Sequence, residues 1–527
     1  MNHEVQNQPP PLEGVDLFST DRALKEAVVR ECAGWASSGL AEYGAVLGSA
    51  ETLEWGALAN ANPPVLHTHD RYGHRRDEVE FHPAWHNMMR LAVEHGVHSS
   101  PWANPRKGAH AARAAAAMLA SECEAGHVCP VSMTYSSVPV LGRDPELARE
   151  WEPRIHSTSY DPSFQPAPQK KGALIGMAMT EKQGGSDVRA NSTRAEPIGK
   201  GEYILNGHKW FCSAPMCDAF LVLAQASAGL SCFFLPRWTP DGRRNAFHLQ
   251  RLKSKLGNRS NASSEVEFDG AWTRRIGEEG RGVATIIEMV HHTRLDCVIG
   301  GAALMRRALI EALHHARHRS AFGRKLIDQP LMQNVLADLA VESEAATVLM
   351  MRIARAFDEG DRTFARLAVA AGKYWVSKRT PAHVAEALEC LGGNGYVEES
   401  AMPRLYREAP LNSIWEGSGN VIALDVLRAI KKEPEALDRV LQEIRLANDP
   451  RIEKFASNIH AGVMEAEARR FAERIAMALQ ASLLMRFSPP AIADAFCASR
   501  LDGDWGRAFG TLPSGVDFRT VIDLACG

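Results

Sequence analysis

The 527-residue sequence predicts a multidomain α+β protein: an N-terminal α-helical domain, a central antiparallel β domain, a C-terminal four-helix bundle and an extra helical C-terminal domain. Three observations carry this. Helix formers without strand alternation fill residues 20 to 170, short β-type runs with turn formers fill 174 to 275, and helical periodicity then returns. The expected domains are 1–173, 174–280, 281–430 and 431–527.

The first stretch reads as all-α from Asp21-Arg-Ala-Leu-Lys-Glu-Ala-Val-Val-Arg30 and from the alanine-rich run Ala111 to Ala120. The β stretch rests on Tyr203-Ile-Leu, Phe220-Leu-Val-Leu, Cys232-Phe-Phe-Leu and Val266-Glu-Phe, with turns expected at Asn206-Gly207 and Asp241-Gly242. In the bundle, apolar residues recur at steps of three and four: Ile286, Val290, Leu295 and Ile299; Leu331, Val335 and Leu339; Phe364, Leu367, Ala371 and Trp375. Beyond Lys431-Lys432 and Pro434 a helical appendage is expected, broken at Pro489-Pro490.

Composition narrows the function classes. Sixty basic against sixty-three acidic residues give a formal charge of -3, so any nucleic-acid contact must come from a local patch. Ten cysteines without a C-x-x-C pair or zinc-like spacing argue against a disulfide framework and a metal site. The N-terminus lacks a basic start and apolar stretch, and no apolar run approaches the ~18–20 residues of a membrane span, so a cytoplasmic protein is expected.

Five segments carry the chemistry. In Gly176-Met-Ala-Met-Thr-Glu-Lys-Gln-Gly-Gly-Ser-Asp187, glycines let the backbone approach a flat ring or a pyrophosphate, and the Thr180 and Ser186 hydroxyls can bond polar ligand atoms. Gly207-His-Lys-Trp-Phe-Cys-Ser213 offers an aromatic surface and a hydroxyl. The others are Arg319-Ser-Ala-Phe-Gly-Arg-Lys-Leu-Ile-Asp-Gln329, Leu391-Gly-Gly-Asn-Gly-Tyr396 and Ser413-Ile-Trp-Glu-Gly-Ser-Gly-Asn420.

Occurring in this order, these segments resemble the signatures of the acyl-CoA dehydrogenase superfamily from about residue 170 to 430. The resemblance implies an FAD-dependent oxidoreductase acting on CH–CH groups of acyl-CoA. It implies flavin contacts from Met177, Met179, Thr180, Gly184, Gly185, Ser186, Phe211, Cys212, Ser213, Trp415, Gly417, Ser418 and Asn420. Arg319, Phe322, Gln329, Gly392 and Gly393 resemble elements that complete a neighbouring subunit's cofactor site, which implies a homotetramer. Departures from the family pattern occur at Phe211 and Ser213, which stand for tryptophan and threonine, at Pro330, where the family has glutamine and this chain has Gln329 and Gln333 nearby, and at Glu389.

Glu416 takes the position of the family's catalytic base. Removing a proton α to a thioester needs a carboxylate within hydrogen-bond reach of that proton and shielded from water. An earlier helix supplies the base in some relatives, but here that position is Thr293, leaving Asp296 as the fallback. Trp415, bulkier than the family's usual tyrosine, favours short or branched acyl chains.

Finer strings, among them Leu256-Gly-Asn-Arg-Ser-Asn-Ala-Ser263 and Pro403-Arg-Leu-Tyr-Arg-Glu408, resemble the AidB-type branch of DNA-alkylation-response flavoproteins. That resemblance implies non-sequence-specific binding of double-stranded DNA through Arg428, Lys431 and Lys432, protection or repair of alkylated DNA, and an acyl-CoA or small alkylated substrate. Residues 431–527 hold thirteen basic and fourteen acidic side chains, so only clusters there can act, such as Arg469, Arg470 and Arg474. The alternative is a metabolic dehydrogenase for a short or branched acyl-CoA whose appendage serves oligomerisation.

Overall fold

A computed structural model describes residues His3–Cys526. The chain divides into two compact units: Met1–Leu53 with Arg106–Cys123 and Arg294–Gly527, and Glu54–Pro105 with Glu124–Thr293.

Helices dominate the first third: α1 (Arg22–Arg30), α2 (Ser37–Leu47), α3 (Ala50–Ala61), α4 (Pro83–Glu94), α5 (Ser100–Ala103), α6 (Ala109–Cys123), α7 (Val128–Leu141) and α8 (Pro145–Ile155). Local chemistry starts them. Asp21 caps α1 by accepting from the Leu24 amide, and Asp144 caps α8 ahead of Pro145. The all-α expectation misses one hairpin, β1 (Val65–His69) and β2 (Arg75–Glu80). Its turn is built by Asp70, whose carboxylate accepts from the Tyr72 and His74 amides, and by Gly73 at φ 87°.

The second unit contains a β-barrel. Its strands are β3 (Ile175–Ala178), β4 (Arg194–Gly199), β5 (Glu202–Ser213), β6 (Ala219–Ala226), β7 (Gly229–Pro236), β8 (Phe247–Leu252) and β9 (Ser263–Ile276). Pairings β6–β4, β4–β5, β5–β9, β9–β7 and β7–β6 close a ring, with β3 added on β6 and β8 on β9. Most pairings are antiparallel as expected, but β3 and β4 run parallel to β6. Strands β6 and β7 are apolar along nearly their whole length because both faces are buried. Asp241-Gly242 turns as expected, with Gly242 at φ 79°. Asn206-Gly207 does not. It lies inside β5, where the register against β9 shifts, and a side chain at Gly207 (φ 148°) would strike Thr193, so the glycine serves a bulge.

The first unit is a helical bundle. Helix α9 (Gly282–His318) crosses from one unit to the other and is followed by a hairpin of β10 (Ser320–Ala321) and β11 (Arg324–Lys325), then α10 (Pro330–Asp358) and α11 (Arg362–Cys390). After α12 (Gly393–Tyr396) and α13 (Met402–Glu408) comes α14 (Gly419–Lys432), which packs on α11. The predicted stripes are buried at Ile286, Val290, Leu295, Ile299, Leu339, Phe364, Leu367, Ala371 and Trp375. Leu331 departs from them at 83% exposure, and Val335 is only half-buried.

The remaining helices are α15 (Glu435–Arg445), α16 (Pro450–Ala456), α17 (Ala468–Phe487), α18 (Pro490–Phe496) and α19 (Phe518–Ala525). Helix α17 packs on α10, α11 and α14, and the Trp375 indole donates to Gln480 at 3.0 Å. The appendage thus shares the bundle's core. Among the described residues, no helix is long and apolar enough to cross a membrane.

Candidate functional site

The candidate residues of the second unit gather around the loop after β3. Met177 and Met179 are half-buried, Thr180 follows, Gly184 is half-buried, and Gly185 and Ser186 form the exposed tip. A side chain at Gly185 would meet the Thr180 methyl at 3.1 Å, and one at Gly184 the Asp187 carbonyl at 2.7 Å, so both positions favour glycine on space alone.

A buried ion pair holds this loop. Glu181 and Lys209 side chains are fully buried and meet at 2.7 Å, and the Lys209 ammonium also donates to the Leu223 carbonyl. Glu181 accepts further bonds from Gln183, Ser192 and Thr193. Burial raises the carboxyl's proton affinity, but Lys209 and these donors overcome that and hold Glu181 down at about 2. The Trp210 amide donates to the Thr180 carbonyl at 2.8 Å, so loop and strand β5 are latched side by side.

Strand alternation then sorts the next three residues. Phe211 presents its ring at 50% exposure, Cys212 points into the core at 0%, and Ser213 is half-exposed. Cys212, expected at the flavin, is thus wholly buried, and its carbonyl already accepts from the Ser264 hydroxyl at 3.0 Å. Lys253 lies 3.2 Å from the Trp210 ring centroid and 4.8 Å from that of Phe211, keeping positive charge beside this aromatic edge.

In the first unit the segment Asn412–Gly417 forms a turn ahead of α14. Glu416 is partly buried and left-handed, with φ 55°, and Gly417 follows at φ 104°. Two cations bond the turn and a third shares a carboxylate with one of them. The Arg294 Nε donates to the Glu416 carbonyl at 3.1 Å, while its Nη1 meets Asp425 at 2.7 Å, and Arg366 grips the same Asp425 with both nitrogens. Lys373, 1% exposed, donates to the carbonyls of Gly417 at 2.8 Å and Asn412 at 3.1 Å. The Trp415 indole donates to the Asn412 side chain at 2.9 Å, fixing its ring beside Glu416. Ser418 and Asn420 sit at the start of α14, and the Ser418 hydroxyl makes no capping bond.

Arg319, Phe322 and Gln329 cluster at the β10–β11 hairpin. Its turn residues Phe322 and Gly323 both have positive φ, and Phe322 is 98% exposed. Gln329 donates to the Ala321 carbonyl at 2.9 Å, and Arg319 to the Asn7 carbonyl at 2.7 Å. Gly392 and Gly393 are exposed after α11, with Gly392 left-handed as a helix terminator.

Asp296, the fallback base, is already engaged: both its oxygens accept from the Arg113 guanidinium. Glu416 thus remains the candidate acid on this turn. Lys209, Lys373 and Arg294 were missed as site residues. Only Lys373 carried a signal, a lone cation within the apolar run Val369-Ala-Ala-Gly-Lys373-Tyr-Trp, which needs a buried partner; Lys209 and Arg294 stand beside polar neighbours.

The exposed aromatic and neutral hydroxyls beside the glycine loop of the second unit suit a flavin, and the half-buried carboxylate on the first unit's turn suits an acid–base reaction. Comparisons agree. Residues 7–162 match the family described as adaptive response protein AidB N-terminal domain, 176–271 the acyl-CoA dehydrogenase middle domain and 280–431 the acyl-CoA dehydrogenase C-terminal domain. The AidB protein of Escherichia coli (strain K12) is 47% identical over 95% of this chain and 94% of its own length. Acyl-CoA dehydrogenase family member 11 of Caenorhabditis elegans is 31% identical over 84% of this chain and 73% of its own. The solved structure of Caenorhabditis elegans ACDH-11 in complex with C11-CoA superposes with a TM-score of 0.86 at 27% identity, covering 95% of this chain and 94% of that one.

The fold and these matches define an acyl-CoA dehydrogenase-class flavoprotein, an FAD-dependent oxidoreductase. Within that class the chain belongs to the AidB family.

Proposed function

We propose that the protein binds double-stranded DNA without sequence preference and protects or repairs it during alkylation stress, retaining weak dehydrogenation of short or branched acyl-CoA. The observation that carries the DNA reading is the end of α14. Arg428, Lys431 and Lys432 are all exposed, are spaced to share one helix face, and make no ion pair among the described residues. Their charge is therefore available to phosphates. At the start of α17, Arg470 is likewise exposed, whereas Arg469 is engaged by the Tyr374 hydroxyl at 3.0 Å. Repetition in a homotetramer would sum several modest phosphate contacts.

In this reading residues 431–527 act as the DNA-binding domain beside the bundle, in a cytoplasmic protein. The flavin, when bound, accepts hydride. In the second unit the hydroxyls of Thr180, Ser186 and Ser213 would hold its polar atoms and Phe211 would offer a ring to it; in the first unit Ser418 and Trp415 would do the same from the turn whose Glu416 would take the α-proton of an acyl-CoA or act on a small alkylated substrate.

The test is duplex binding by the FAD-loaded protein across salt concentrations. Binding is expected to weaken steeply with salt, to ignore sequence, and to fall in Arg428→Gln and in a chain ending at residue 430. A folded, FAD-loaded truncation with undiminished binding removes the C-terminal domain from this role. The second reading, a metabolic dehydrogenase, draws on relatives named for acyl-CoA substrates, such as isovaleryl-CoA dehydrogenase of Pongo abelii. Rapid flavin reduction by isovaleryl-CoA without DNA binding favours it.

A further inference from the structure

The cations around the Glu416 turn do more than fill space. A non-glycine residue at φ 55° stores backbone strain and persists only where its surroundings over-determine it. Here the restraints can be named. Helix α9 comes close at Gly300, where a side chain would strike the Asn412 amide at 2.9 Å, so glycine leaves room for Asn412. Asn412 accepts from Trp415 through its side chain and from Lys373 through its carbonyl. Lys373 then reaches over the turn to the Gly417 carbonyl, which lies immediately beyond Glu416. One ammonium thus ties together the two ends of a six-residue turn whose strained member is the candidate base.

We infer that Lys373 is a positioning residue for Glu416: by bridging the Asn412 and Gly417 carbonyls it holds the turn that carries the carboxylate. Burial lowers the proton affinity of Lys373, while attraction to Cys297 and Glu416 opposes that loss. Keeping a cation at 1% exposure is costly, and the carbonyls and the nearby carboxylate are what offset the cost. A purely structural filler in this helix would need no charge. The inference rests on Glu416 being the base, and its test separates the two ideas.

The experiment compares FAD-loaded wild type, Lys373→Met, Lys373→Gln and Glu416→Gln. In crystals of Lys373→Met, Glu416 is expected to leave the left-handed region. In anaerobic mixing with isovaleryl-CoA, followed at the flavin absorbance, reduction by Lys373→Met is expected to slow about 100-fold. Half-saturation should move less than about threefold, the mark of lost orientation rather than lost binding. The acid limb of the pH–rate profile should move upward, because losing a neighbouring cation raises a carboxylate's proton affinity. Lys373→Gln, which keeps a donor without the charge, should retain more of the turn geometry but show the same pH displacement. An unchanged turn with an unchanged profile overturns the inference. So does joint loss of FAD and cooperative unfolding in both Lys373 variants, which makes the residue merely structural. If Glu416→Gln reduces the flavin at the wild-type rate, the base assignment fails, and the turn geometry alone then decides the role of Lys373.

Discussion

Arg352 of α10 and Glu443 of α15 form a buried ion pair at 2.9 Å, with both side chains 4% exposed. Arg486 of α17 reaches the other Glu443 oxygen at 2.8 Å. One carboxylate thus fastens the appended helices to the bundle.

Glu443→Gln should cost about 3 kcal/mol, because it leaves two arginines without their counter-charge in a poorly hydrated site. The arginines hold the Glu443 carboxyl down at about 2, against an ordinary 4.5. Its stabilisation is therefore fully present above pH 4.5 and lost as pH falls toward 2. Thermal unfolding of both proteins at several pH values checks this: the gap between them should close in that acidic window.

Glu122 behaves in the opposite sense. Burial and the nearby Asp21 push its carboxyl up to about 8, and neither oxygen has a hydrogen-bond partner among the described residues. The folded chain therefore keeps a proton that the unfolded chain releases between pH 4.5 and 8, and stability declines across that interval. Glu122→Gln should remove the decline, which amounts to about 1 kcal/mol per pH unit. Equal melting temperatures for wild type and variant at pH 5 and at pH 8.5 would sink this reading.

Lys209→Met strands the buried Glu181 carboxylate and should loosen the loop carrying Thr180 and Ser186. The expected result is faster FAD release and destabilisation by about 3 kcal/mol. Adding Glu181→Gln should restore part of the stability, since a neutral pair is less costly to bury than a lone charge. A double variant no better than the single one would show that the charge is not the cause.

Phe322 at 98% exposure and Leu331 at 83% leave apolar surface in water beside a strained hairpin, and Tyr396 adds 81% after α11. Phe322→Ser with Leu331→Glu should lower the oligomeric state in sedimentation and weaken FAD retention. A variant that sediments as wild type excludes this surface from assembly.

Periodicity made the bundle legible, because Ile286, Val290, Leu295 and Ile299 repeat on one buried face. The closed barrel was only partly so: buried strands such as β6 carry no alternation to reveal their neighbours, and the Asn206-Gly207 pair signals a turn and a bulge equally. At the site, the string around Glu416 was readable as a string, but its support was not. Lys373, Arg294 and Asp425 lie 43, 122 and 9 positions away in sequence and meet the turn only through tertiary packing. Phe322 was legible as part of a string but not as an exposed ring, because its positive-φ turn, which the string does not announce, is what holds it outward.

The division of the chain into units has a consequence for biosynthesis. Helix α6 emerges from the ribosome early, is alanine-rich, and in the finished protein is buried at every position but His110. It belongs to the unit that also needs α10, on which it packs. That partner begins roughly 200 residues later, on the order of ten seconds or more at ordinary elongation rates. The Glu54–Pro105 and Glu124–Thr293 segments, by contrast, are complete once residue 293 has been made. The nascent chain can therefore complete its barrel first while α6, with only α1 and α2 of its packing partners yet made, waits for α10 to cover its remaining face.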